Sequence, residues 1–257
     1  MKILKISIVT LLSFFATITA TFADVSLTTK DIEGTWTRAK YIKTVSSMLS
    51  PFSARPETVM IENGKLLWTS YHEGFWQKII RIEKGNAKNV YRLVLGGKDV
   101  ESPDSETTEE ALFRLIRKQD GKIEEIAFLD TSVVEFTDEP FVNISMPLQQ
   151  FVAQLVLVGT YHDEKGQTYS FDKSGMASWP GQSFTYRVAL DSTEAFCDYF
   201  FAISYKNRVG FKSIESKSIK SSFKWVSGKL ELFNIGRDGC CVDCKGKPFA
   251  ILTPVSK

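Results

Sequence analysis

The chain has 257 residues, with 32 basic and 30 acidic side chains and a formal net charge of +2. That near-balance leaves no overall basic footprint of the kind a nucleic-acid binder carries, so nucleic acid is not an expected partner. The length allows one or two domains with a sizeable core.

The N-terminus is read apart from the fold. Met1-Lys2-Ile3-Leu4-Lys5 is short and basic, residues 6–18 are apolar, and Thr21-Phe22-Ala23 presents small residues at the two positions a signal peptidase reads. This predicts a signal peptide over 1–23, cleaved after Ala23. Cleavage removes Lys2 and Lys5 from the 32 basic residues and no acid, leaving 30 basic and 30 acidic, a net charge of zero. No Cys follows the cleavage site, so no lipoprotein anchor is expected. The rest of the chain lacks an apolar run of about 18 residues, so no transmembrane segment is expected after cleavage. Export places the protein in the periplasm or the extracellular medium.

Residues 24–145 form the first expected module. A strand starts at Glu33-Gly34-Thr35-Trp36-Thr37. The stretch 39–57, with Pro51 and Pro56, interrupts the pattern and reads as an inserted loop at the mouth of the module. Hairpins follow: 58–61 and 65–71 around Asn63-Gly64, 75–83 and 90–95 around Gly85-Asn86, and 111–117 and 123–129 around Asp120-Gly121. Residues 101–110 read as a solvated acidic loop, 131–136 as the strand that closes the sheet, and 138–144 as a linker.

Residues 146–257 form the second. Pro147 opens a segment in which Leu148, Phe151, Val152, Leu155 and Val156 fall on one stripe, predicting a short helix that plugs a barrel end. The alternative is a strand; a membrane-surface helix fits less well, because the polar face carries Gln. Strands are expected at 168–171, 176–179, 184–190, 195–205, 209–213, 222–226, 229–235 and 249–253, with Ser227-Gly228 as a further turn. Ser216-Lys217-Ser218-Ile219-Lys220 reads as a solvated edge. Turn signals every eight to twelve residues or so mark an all-β chain.

The two modules repeat one pattern. Gly34-Thr35-Trp36 recurs as Gly159-Thr160-Tyr161. Trp68 lies four residues after Gly64, and Trp179 four after Gly175. Phe75 and Tyr186 each follow seven residues later. From start motif to turn glycine the first copy runs 30 positions and the second 16, which locates the insertion. Trp68, Phe75, Trp179 and Tyr186 are the candidate ligand-binding residues, against the plainer reading of repeated core packing.

All four cysteines lie in the second half: Cys197, Cys240, Cys241 and Cys244. In an oxidising compartment they predict disulfides. A Cys240–Cys241 bond needs a strained vicinal ring, so Cys197 is expected to pair with Cys240 or Cys241 and the remaining tail cysteine with Cys244. Redox and metal-thiolate roles for the cluster are the alternatives. Catalysis is not expected. The two histidines, His72 and His162, occupy unrelated positions, and no nucleophile elbow, zinc-protease helix or phosphate-cradling loop occurs. No cofactor or metal is expected.

A Gly-x-Trp start followed by an antiparallel meander with tight turns resembles the lipocalin-like (calycin) superfamily. Gly34-Thr35-Trp36 carries the likeness, and Gly159-Thr160-Tyr161 is the equivalent start, with Tyr for Trp. The resemblance implies two tandem antiparallel β-barrels, each closed at one end by the start-motif aromatic, and an interior that holds a small apolar ligand. The function expected from residues and resemblance together is an exported, non-enzymatic binding protein for a small apolar or amphipathic molecule. The alternative is a protein-interaction module, such as an inhibitor of a secreted enzyme, using the 39–57 insertion.

Overall fold

The computed structural model describes residues 26–70, 76–98, 106–117, 122–131, 139–190, 197–206, 214–234 and 246–256. The expected signal peptide, His72, Phe75, the 209–213 strand and the three tail cysteines lie outside the described residues.

The first module is β1 (Gly34–Arg38), α1 (Ala39–Met48), β2 (Glu57–Glu62), β3 (Lys65–Ser70), β4 (Trp76–Lys84), β5 (Val90–Lys98), β6 (Glu106–Arg117), β7 (Ile123–Thr131) and β8 (Pro140–Asn143). Its strands pair antiparallel in chain order, and β8 returns to β1 to close an eight-stranded barrel. The second module is α2 (Leu148–Val156), β9 (Gly159–His162), β10 (Thr168–Phe171), β11 (Met176–Trp179), β12 (Gln182–Val188), β13 (Asp198–Lys206), β14 (Ile214–Val226), β15 (Lys229–Phe233) and β16 (Ala250–Ser256). It closes the same way through β16 and β9. The chain is therefore a tandem pair of closed antiparallel barrels.

Local chemistry accounts for the turns. Asn63 and Gly64 have φ of 51° and 69°, and Ser227 and Gly228 have 50° and 78°. Two consecutive left-handed residues make the mirror-image turn whose twist matches a β-hairpin. Alternation accounts for the strands. On β11, Ala177 and Trp179 are buried while Met176 and Ser178 are exposed. Closure then leaves each inward row one place to go, the barrel interior.

The structure corrects three expectations. The closing strand is Pro140–Asn143, inside the segment read as a linker, and not 131–136. With four residues and one fully buried apolar side chain, Phe141, it is too short to show alternation. The acidic loop is shorter than expected, because Glu106 to Glu110 begin β6, opposite Lys98 to Val94. The 216–220 stretch lies in β14 and pairs with β13 on one side, Lys217 opposite Ile203; among the described residues β15 pairs with Ser222 to Val226, so 216–220 is an edge, as its pattern suggests.

The third correction concerns the insertion. It is a packed helix followed by a 3-10 turn over Pro51–Ser53, not a loop. Tyr41 and Val45, one helical turn apart, are 1% and 0% exposed. They join the core of the second barrel, together with Val152, Val156, Tyr161, Phe171 and Leu230. A segment inserted in the first module is thus part of the second module's hydrophobic core. α2 forms over the residues its stripe predicts, with Leu148, Val152 and Val156 buried. Trp225 fixes its end, donating from Nε1 to the Val156 carbonyl at 2.9 Å.

Candidate functional site

The start motifs build the barrel floors. In the first barrel Trp36 Nε1 donates to the Ile32 carbonyl at 2.9 Å; in the second the Tyr161 hydroxyl donates to the Leu157 carbonyl at 2.6 Å. Both acceptors lie four residues earlier and end a helix: the 3-10 turn Thr29–Ile32 in one case, α2 in the other. Each aromatic therefore satisfies a terminal helix carbonyl that has no partner within its helix. Tyr replaces Trp without loss of the bond. Burial holds the Tyr161 phenol far above its ordinary pKa, so it stays protonated and donates. Gly34 is required by space and by backbone. Its φ is +142°, and a Cβ there would stand 2.3 Å from Asn143 Nδ2.

The candidate ligand residues separate. Trp68 is on β3 and Trp179 on the equivalent β11, as their shared spacing predicts. Tyr186 is different. Its amide donates to the Gly175 carbonyl at 2.7 Å, and the bond that matches it in the first barrel runs from Ile79 to the Gly64 carbonyl at 2.8 Å. Ile79, not Phe75, is the counterpart of Tyr186. The connection before β4 is longer than that before β12, so equal spacing from the Trp does not mean an equal place.

Tyr186 is a core residue, 2% exposed, with its ring 5.2 Å from Phe171 and its hydroxyl bonded to the Asp172 carbonyl at 3.2 Å. Phe171, Phe200 and Trp179 pack edge to face around it, with centroids 5.6 to 6.3 Å apart. These rings fill the middle of the second barrel. The first barrel is occupied by Trp36, Val59, Leu66, Phe113, Phe128 and their neighbours, with Trp68 packed against them.

Among the described candidates, Trp179 lines a mouth. It stands at the barrel end away from α2, where a cavity of about 250 Å³ is lined by Tyr169, Trp179, Pro180, Gln182, Asn234 and Phe249. Sequence reasoning missed Tyr169, Gln182, Asn234 and Phe249. Tyr169 was accessible to alternation, two residues before Phe171 on β10. Asn234 and Phe249 lie far apart in sequence and meet through the pairing of β15 with β16. A second cavity, of about 350 Å³, lies beside the start of α2. It is a charged groove, with Asp172, Lys173 and Arg187 in its walls.

Other polar groups are tied into structure. Arg38 donates from Nε to Glu139 Oε2 at 2.7 Å, and the fully buried Glu57 carboxylate lies 3.7 Å from Arg55 and 4.0 Å from Arg38. His162 Nδ1 is 3.3 Å from the Thr168 hydroxyl on an exposed face. No cluster of three potential metal ligands occurs among the described residues. Cys197 sits just before β13, its sulfur 3.6 Å from the Phe223 carbonyl oxygen. No described helix is long and apolar enough to cross a membrane.

No protein-family model, curated protein or solved structure matches this chain. Fold and site together define a tandem antiparallel β-barrel protein whose second barrel has a packed aromatic interior and an aromatic-and-amide mouth.

Proposed function

We propose that this is an exported, non-enzymatic binding protein of lipocalin-like type that holds a small amphipathic molecule at the mouth of its second barrel. The observation that carries this reading is the cavity lined by Trp179, Tyr169 and Phe249 with Gln182 and Asn234. Aromatic walls with a few convergent polar groups are the usual make-up of small-molecule sites. The packed rings beneath the mouth move the expected ligand out of the barrel centre to its rim. The partner-binding alternative loses its main support, since Tyr41 and Val45 of the insertion are spent on the core. Export rests on the N-terminal segment, and a disulfide from Cys197 to a tail cysteine belongs to the same reading.

Native mass spectrometry of the mature protein, purified from its own compartment and compared with its denatured mass, tests this. The expected result is a metal-free adduct that leaves on denaturation, on a chain starting at Asp24 and lighter by the hydrogens lost in two disulfides. A bare protein that takes up no amphiphile in titrations would overturn the binding reading. A metal adduct with free thiols would move the function to the cysteine cluster.

A further inference from the structure

We infer that the first barrel has a site of its own, at the end opposite the Trp36 floor, which binds a protonated amine with Glu109 as the anion that receives it. This site is separate from the mouth of the second barrel and independent of the function proposed there. Three observations carry it.

The first is the direction of the polar side chains. Leu66 on β3, Ile79 on β4 and Ala111 on β6 face the core of this barrel. Two residues further toward the other end, on the same inward rows, stand Trp68, Gln77 and Glu109. Gln77 is 7% exposed, and its Nε2 donates to Glu109 Oε2 at 2.8 Å. β5 runs between β4 and β6, so the bond reaches across a whole strand. The inward row of β5 passes there from Leu95 to Gly97, a residue without a side chain.

The second is charge. A carboxylate set over an apolar core is normally matched by a cation. Glu57, the other inward acid at this end, obeys that rule, with Arg55 at 3.7 Å and Arg38 at 4.0 Å. Glu109 is half-buried, and among the described residues the contact it makes is to the neutral Gln77 amide. The ion pair on this part of β6 belongs to its exposed neighbour Glu110, 3.5 Å from Arg92. The segments joining the strands at this end are 71–75, 99–105 and 132–138. Their sequences hold Glu73, Asp99, Glu101, Asp104, Glu135 and Asp138, with His72 and no Lys or Arg. Lys98 falls one place off the inward row of β5. The counter-ion that Glu109 calls for therefore comes from outside the chain.

The third is Trp68. Its ring packs on the core, and its buried indole N–H makes no hydrogen bond. Folded proteins leave few buried donors in that state, so this one asks for an acceptor. An aromatic amine bearing an oxygen answers all three observations: its ammonium meets Glu109, its ring lies against Trp68, and its oxygen accepts from the indole.

Tyramine is titrated into the mature protein, beside tyrosol, which carries a hydroxyl in place of the ammonium, and 4-hydroxyphenylacetate, which carries a carboxylate. Calorimetry measures binding, and NMR of the Trp68 indole N–H and the Gln77 side-chain amide locates it. The expected result is saturable tyramine binding that shifts both groups and exceeds that of either analogue by about tenfold or more. Glu109→Gln should weaken it by a similar factor, through loss of a charge-assisted hydrogen bond. That variant keeps an acceptor for Gln77, and circular dichroism checks its fold. Glu110→Gln, one place along on the outer face, should leave binding unchanged. Equal binding of tyrosol, or tyramine binding that survives Glu109→Gln, overturns the amine assignment. Failure of tyramine to shift Trp68 and Gln77 overturns the site and makes Glu109 a hydrated rim carboxylate. Shifts confined to the Trp179 indole overturn it too, while leaving the second barrel's mouth standing.

Discussion

Ser50 and Asp198 are 148 positions apart and meet across the junction of the two barrels, the Ser50 hydroxyl donating to Asp198 Oδ1 at 3.0 Å. The Phe52 amide donates to the same oxygen at 3.1 Å, and the Phe52 ring packs edge-on against Tyr199. The 3-10 turn of the first barrel's insertion is thereby fastened to the start of β13. Asp198 is 7% exposed. Burial pushes its carboxyl up to about 6, with the two hydrogen bonds pulling the other way.

The sign of the resulting pH dependence follows from where the proton sits. Between the ordinary carboxylate pKa and about 6, folded Asp198 holds a proton that the unfolded chain has released. Stability from this group is therefore present at acid pH and lost as pH rises through that window, by at most about 3 kcal/mol. Among the described residues no charged group contributes to the shift; Phe223, which faces Asp198 across the strands, is apolar. Thermal melts of Asp198→Asn should lack this component between about pH 4 and 7. Equal pH slopes in variant and parent would disprove it. Ser50→Ala removes a donor that favours the ionised form and should move the transition to higher pH.

The matched bonds of Trp36 and Tyr161 predict unequal losses. Tyr161→Phe keeps the ring and strips one buried bond to the Leu157 carbonyl, costing about 1–2 kcal/mol. Trp36→Phe also leaves unfilled volume and should cost about 2–4 kcal/mol. Urea denaturation measures both, and a neutral Tyr161→Phe would mean that water replaces the hydroxyl.

Gly34 gives a test by double mutation. Gly34→Ala meets the Asn143 side chain and should destabilise by more than about 2 kcal/mol. Asn143→Ala in the same chain removes the clash but not the left-handed φ, so rescue should be partial. Full rescue would assign the whole effect to space.

Val45 reports on the coupling of the barrels. Val45→Ala should cost about 2 kcal/mol and raise amide exchange in β9 and β15 of the second barrel, though Val45 lies within the first barrel's sequence. The exposed Lys43→Ala, on the same helix, should change stability by less than about 0.5 kcal/mol. Faster exchange confined to β1–β8 would contradict the shared core.

The sequence by itself determined the features that depend on near neighbours. Asn63-Gly64 and Ser227-Gly228 announce their turns because few residues accept φ above zero. The stripe from Leu148 to Val156 announces α2 because a helix brings those positions to one face. The repeat of Gly-Thr-aromatic announces two equivalent barrels. Tertiary structure alone decided the rest. Phe141 closes the first barrel from a strand too short to carry a pattern. Ile79 is the counterpart of Tyr186 although the spacing points to Phe75, because a hydrogen-bond register, not a residue count, sets equivalence. Tyr41 and Val45 join the other barrel's core, and Asn234 and Phe249 share a mouth with Trp179, because burial and strand pairing act on distance in space, which chain order does not record.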